Sequence, residues 1–350
     1  MGMQLYLILA AVWLVAFGLL SFRLARRKER NAAFWFLLGA LFGPVAWMVL
    51  STAPAASEPH ADEKAGLFVR WVSSQFTTRV IALMPVAIAM NISLGYTTQK
   101  VLNLPIYLDS IGTILVGVLA GPLPGALTGI LANLIWQYTP GIGAGSSIGP
   151  FAITAGVIGF VSGIWGYLGV FRARPAGGLR LIVPVAVAIA VIAVLAVRMY
   201  TIPQYTDPNV GGYPGWVYGA IVVIGAVAAV AVGAFVFIRR DAAGAWVAVA
   251  GAVTGSIAAL VSAPIAANVY EGVTGSGTDF IVATLRQGGA DVYNSSLGQG
   301  LLSDPIDKTI TCFVVLLIMS RVSPRILARF PLGERVVRTD DGSATAGDGN

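Results

Sequence analysis

Residues 245–269 read AWVAVAGAVTGSIAALVSAPIAANV, 25 consecutive positions without Asp, Glu, Lys or Arg. A bilayer core about 30 Å thick is crossed by roughly 20 apolar residues of α-helix. The run is continuously apolar and does not alternate with polar residues. It therefore predicts a membrane helix and not a strand of a barrel, because only helices and closed barrels satisfy every backbone group in lipid. Similar segments occur at 78–96, 106–121, 122–138, 150–171, 181–199, 215–238 and 300–320, with two more at 4–22 and 33–51. The expected fold is all-α: a polytopic bundle of about ten transmembrane helices.

Composition agrees with this reading. Of the 350 residues 57% are hydrophobic and 11% charged, and the mean hydropathy is +0.80. A water-soluble domain carries about 25% charged residues, so a soluble enzyme of this size is excluded. The single cysteine, Cys312, cannot form an internal disulfide or a Cys-cluster metal site, and the single histidine, His60, cannot form a paired-His zinc site. None of the four lysines follows a Gly-rich loop, so there is no Walker-type nucleotide site. No catalytic residue, cofactor or metal site is expected, and no nucleic-acid partner. The +6 net charge is placed at membrane flanks.

The chain divides at 52–66 (STAPAASEPHADEKA), a polar linker. Before it, 1–51 form a transmembrane hairpin around the basic turn Arg23, Arg26, Arg27, Lys28, Arg30. After it, 67–331 form the main membrane domain, in which 179–240 carry two additional spans. Residues 270–299 read as an ordered loop or surface helix. Residues 332–350 are a charged, Gly/Ala/Ser-rich tail expected to be disordered in the cytoplasm.

Positive charge sets orientation. With eight spans starting inside, the groups Arg70/Arg79, Arg172/Arg174/Arg180, Arg239/Arg240 and Arg321 to Arg338 all fall in the cytoplasm of an inner-membrane protein, as does the C-terminus. The hairpin fits less well. Its basic turn belongs inside, so the linker would begin outside and end inside. Either the hairpin is inverted, one member does not cross, or the count is off.

This orientation gathers the polar residues at the outer ends of the spans. Asn91 and Tyr96 lie in the outer half of 78–96. Tyr107 and Asp109 open the next span, Asn133, Trp136 and Gln137 close the third, and Asn268, Tyr270 and Glu271 close the seventh. Asp304, Asp307 and Lys308 begin the last. Polar groups are costly in lipid, so a set at one depth reads as a solute pocket open to the outside. The competing reading is interfacial anchors and helix caps, with Asp304 as an N-cap before Pro305. The glycines 117, 121, 125, 129, 159, 163, 251 and 255 have small-xxx-small spacing and are read as internal packing faces.

The segments LPIYLDSIGT (104–113), GPLPGALTG (121–129) with Asn133, SAPIAANVY (262–270), GSGTD (275–279) and SDPIDKT (303–309) together resemble the substrate-binding S components of energy-coupling factor vitamin transporters. The likeness spans about residues 78–170 and 245–325. It implies six helices and an outward pocket for a vitamin-like or cofactor-precursor molecule. It also implies uptake through a separate transmembrane coupling subunit and ATPase subunits. Under it, Asn91, Tyr96, Tyr107, Asp109, Asn133, Trp136, Gln137, Asn268, Tyr270, Asp304, Asp307 and Lys308 are the candidate substrate-binding residues. The 179–240 spans and the hairpin are additions to the family pattern. The alternatives are a stand-alone secondary transporter, a membrane sensor or assembly module, and a membrane enzyme using Asp304 and Asp307.

Overall fold

The computed structural model describes residues 2–32, 67–102, 106–141, 148–174 and 241–337, with isolated positions between them. The linker at 52–66, the added spans at 179–240 and the tail beyond 337 lie outside the described residues, isolated positions apart. The described chain is helical and contains no strand. Three helical stretches, Thr78–Val101, Gly149–Tyr167 and Ala243–Tyr270, are long and apolar enough to cross a membrane.

The chain forms two compact units, Met1–Ile81 and Ala82–Asn350. The first contains α1 (Gly2–Arg27) and α2 (Leu67–Gln75). Arg26 and Arg27 occupy the last turn of α1, where cations complement the helix dipole. Lys28 donates from Nζ to the Leu50 carbonyl at 3.0 Å.

The division between units falls inside α3 (Thr78–Tyr96). Helix α3 continues into a π-helical turn, Thr97–Val101, in which the Leu102 amide reaches back five residues to the Thr97 carbonyl. Helices α4 (Ile111–Ala120) and α5 (Pro122–Tyr138) follow. They meet at Gly121, whose φ of 118° is a conformation that glycine adopts without a Cβ clash. Pro122 then sits in the first turn of α5, where its missing N–H costs nothing.

Helix α6 (Ala152–Tyr167) packs across this pair along the glycines read as a packing face. A Cβ on Gly117 would stand 2.7 Å from the Gly159 carbonyl oxygen, and one on Gly125 would strike the same atom. Close backbone approach of this kind replaces the hydrophobic drive that helices lack in lipid. Helix α7 (Ala243–Tyr270) lies on α9 (Val292–Arg321) in the same way. Gly251 faces the backbone of Lys308 and Thr309, and Gly255 that of Asp304 and Pro305. These two glycines therefore seat the polar stretch of α9 directly against main chain. The apolar core here includes Ile114, Val118, Val247, Cys312 and Val315, all at or near zero exposure.

Between α7 and α9, residues 279–287 form the short amphipathic α8 (Asp279–Gln287), which buries Phe280, Ile281 and Val282. Helix α9 starts at Val292, about two turns before the apolar run begins at 300. Asp291 is its N-cap, accepting from the Asn294 amide at 2.9 Å. That hydrogen bond holds the Asp291 carboxyl below its ordinary range. Asp304 and Pro305 consequently lie in the middle of the helix, which corrects the alternative that Asp304 caps its start. The short turns α10 (Pro324–Leu327) and α11 (Gly333–Val336) close the described chain. The Leu332 amide donates to the Leu119 carbonyl at 2.9 Å, and Arg335 donates from Nη1 to the Tyr167 carbonyl at 2.7 Å.

Candidate solute cavity

The α3 end with its π turn, the α4 start, the α5 end, the α6 start, the α7 end and the first half of α9 surround a cavity of about 110 Å³. A single water needs roughly 10–15 Å³ of such space, so several waters or a small organic molecule would fit. The cavity is built from α9 outward. Asp307 is fully buried. Its Oδ1 accepts from the amides of Tyr107 at 2.9 Å and Leu108 at 3.0 Å, while Oδ2 takes the Lys308 ammonium. Leu108 has φ +50°, uncommon for any residue that carries a Cβ. The carboxylate thus fixes the bend that turns Tyr107 and Asp109 toward the cavity.

Lys308 is buried and forms a second ion pair with Asp109 at 3.6 Å. Gln99 donates to Asp109 from Nε2 at 3.2 Å. The Tyr107 hydroxyl bonds to Thr278 at 2.8 Å and accepts from Gln99's counterpart across the cavity, Gln299, at 3.1 Å. Trp136 is 1% exposed and packs under Gly95, where a Cβ would stand 2.7 Å from the indole. Phe151 stacks on Tyr270 with centroids 5.7 Å apart. A loop, 271–278, covers one side. Asp279 shapes it by accepting from Thr274 at 2.8 Å and from the Gly275 amide at 2.7 Å. Lys100 donates to the Gly275 carbonyl at 3.2 Å.

Of the predicted residues, Tyr107, Asp109, Asn133, Trp136, Asp304 and Lys308 line this one cavity. The other six do not. Asn91 lies deeper between helices, donating to Thr113 at 2.7 Å and accepting from the Gly112 amide at 2.7 Å. Its role is to join α3 to α4. Tyr96 packs on the cluster of Ile88, Ile92, Ala132 and Trp136 behind the wall. Gln137 accepts from the Gly149 amide at 2.9 Å and holds the turn into α6. Asn268 is exposed and bonds back to the Pro264 carbonyl at 2.8 Å. Tyr270 supports Phe151 from outside. Asp307 is committed to Lys308 and two amides. That commitment leaves it unsuited to act as an acid or base beside Asp304.

The cavity also has lining that the sequence reading passed over: Gln99, Ser110, Phe151, Thr154, Ser296 and Gln299 among others. Three of these are decisive. The hydroxyls of Ser110, Thr154 and Ser296 are buried without a hydrogen-bond partner, at 2%, 7% and 2% exposure. Buried polar groups are nearly always paired, and leaving one unpaired costs about 1–3 kcal/mol. The three residues come from three different elements that border the cavity.

No family model, curated protein or solved structure matches this chain. The cavity's own geometry therefore carries the functional reading.

Proposed function

We propose that this protein is a multi-pass inner-membrane subunit that captures a small, vitamin-like or cofactor-precursor molecule from outside. The observation that carries the reading is the set of unpartnered hydroxyls, Ser110, Thr154 and Ser296, on the wall of one cavity. A ligand supplying complementary groups removes their desolvation penalty, while Trp136, Phe151 and Tyr107 offer aromatic area for a planar ring. In this reading the chain crosses the bilayer about ten times, its Arg-rich loops and C-terminus lie in the cytoplasm, and the cavity opens outward.

The resemblance to S components supports a transport role. From Thr78 onward the described residues contain six helices of ten residues or more, α3, α4, α5, α6, α7 and α9, the number that resemblance implies. Ala82, Pro85, Val86, Ala89 and Ser93 make an exposed face on α3, which we assign to a coupling subunit that would work with separate ATPases. Capture would place the solute under loop 271–278, and engagement of the coupling subunit would reorient the bundle for release inside.

Mass spectrometry of small molecules released from the detergent-purified protein tests the reading. One compound is expected at near-stoichiometric amount, and Asn133→Ala or Ser296→Ala should reduce it several-fold with the fold intact. Absence of any released compound, together with no thermal stabilisation by a metabolite library, would remove the solute-binding role. Uptake by this chain alone, driven by a proton or sodium gradient, would replace the coupled mechanism with a secondary transporter.

A further inference from the structure

We infer that the solute carries a positive charge, an organic ammonium or amidinium group, that docks on the Asp304 carboxylate. The inference rests on the solute-binding reading and narrows it to a ligand class.

Asp304 lines the cavity and is 7% exposed. Its hydrogen-bond partner is the Ser303 hydroxyl, which donates to Oδ1 at 3.2 Å. The nearest cation on its own helix, Lys308, is spent elsewhere: its ion pairs are with Asp307 and Asp109. Among the described residues no cation lies within ion-pair distance of Asp304. The other lysine on the lining, Lys100, is exposed at the rim and donates to the Gly275 carbonyl. Three carboxylates, Asp109, Asp304 and Asp307, thus face one buried ammonium.

The three carboxylates are not equivalent. Asp307 has Lys308 and two amides, and Asp109 has Lys308 and Gln99. Asp304 alone makes no ion pair: its direct partner is a neutral hydroxyl, and the Lys308 charge reaches it only from a distance. A buried carboxylate without a counter-charge is costly; it takes up either a proton or a cation, and a well-placed, hydrogen-bonded cation offsets the cost of keeping it ionised. The excess negative charge also disfavours an anionic ligand. The rest of the lining selects an organic cation over a bare metal ion. Trp136, Phe151 and Tyr107 lie on the lining, and the Tyr107 ring already stands 5.9 Å from the Lys308 ammonium; aromatic rings attract alkylammonium and guanidinium-like groups, whereas a hard metal cation needs a shell of six or so oxygens. The unpartnered Ser110, Thr154 and Ser296 hydroxyls then serve polar atoms elsewhere on the same molecule.

The test uses the full chain purified in detergent. Small molecules released from it are sorted by charge at pH 7. The expected compound has a basic or quaternary nitrogen. Its occupancy falls about ten-fold or more in Asp304→Asn, the effect of losing a charge-assisted hydrogen bond, and is retained in Asp304→Glu. A released compound that is neutral or anionic overturns the inference and leaves the solute-binding reading standing, whether or not the Asn variant folds. If nothing is released, the protein is titrated with three matched probes, benzylammonium, benzyl alcohol and benzoate, and thermal midpoints are recorded. A rise with benzylammonium that exceeds the other two and is lost in Asp304→Asn or restored in Asp304→Glu supports the inference. An equal or larger rise with the alcohol or benzoate overturns it. No rise with any probe, on protein that released nothing, overturns the charge assignment alone; the solute-binding reading falls only when the metabolite library also gives no thermal stabilisation.

Discussion

The Ala82–Asn350 unit treats charge in opposite ways at its two ends. At the cavity end, Asp307 and Lys308 are buried and make several short contacts each. At the other end, Arg172, Arg321, Arg325, Arg329 and Arg335 are exposed. Arg335 does bond the Tyr167 carbonyl and lies 5.5 Å over the Tyr167 ring, but from the surface. A buried charge must be matched group by group, because water cannot repair a missing partner. An exposed arginine is hydrated whatever its neighbours do, and its pairings count for little. Charge at one end therefore builds geometry, while charge at the other is carried on the surface.

The contrast fails first if Asp307 is dispensable. Asp307→Ala removes the nearer of the two carboxylates on the buried Lys308 ammonium and leaves two amides without their acceptor, so a loss of about 3–5 kcal/mol is expected, read as collapse of the thermal midpoint in detergent together with loss of any bound compound. Next in size is Gly255→Val. A Cβ there would press on the backbone of Asp304 and Pro305, and forced overpacking costs about 1–3 kcal/mol. The displaced α9 should also lose ligand, so a variant of full stability and full occupancy would break the account of how α9 is seated. A smaller and more pointed effect is expected of Ser110→Ala. It deletes an unpaired hydroxyl, so the empty protein should keep or slightly raise its midpoint while ligand affinity drops roughly two- to ten-fold. Opposite signs in the two measurements distinguish a binding group from a structural one. Smallest is Arg335→Ala, with a midpoint change under about 1 kcal/mol equivalent and unchanged ligand occupancy.

Much of the helical frame can be read from residues alone. Uncharged runs such as 245–269 mark themselves by length, and the glycines at 117, 125, 159, 251 and 255 mark close helix contacts by spacing. Tyr107, Asp109, Trp136 and Asp304, placed by the sequence near the ends of apolar segments, do meet on one cavity. Three features do not announce themselves. Helix α9 begins among polar residues, Val292 onward, where hydropathy has no contrast to offer. The π turn at Thr97–Val101 brings Gln99 and Lys100 to the lining by a register shift of a single residue, which no pattern at helical spacing encodes. The hydroxyls of Ser110, Thr154 and Ser296 carry no mark in the sequence, because such a residue looks the same whether it bonds its own backbone, as Ser162 does to Ile158, or stands unpaired. Asn91 and Gln137 illustrate the converse: polar residues near the right depth whose bonds are consumed in joining helices.

The Asp307 clasp has a consequence for biosynthesis. It joins positions 200 residues apart in the chain, so the bend at Tyr107 and Leu108 leaves the ribosome long before its fastening exists. Until α9 inserts, the first half of the unit carries an unanchored segment with two amides awaiting an acceptor. A nascent chain halted before residue 307 still holds the glycine contacts between α6 and the α4–α5 pair, yet it has no chamber; among the described helices α9 is the one that completes it.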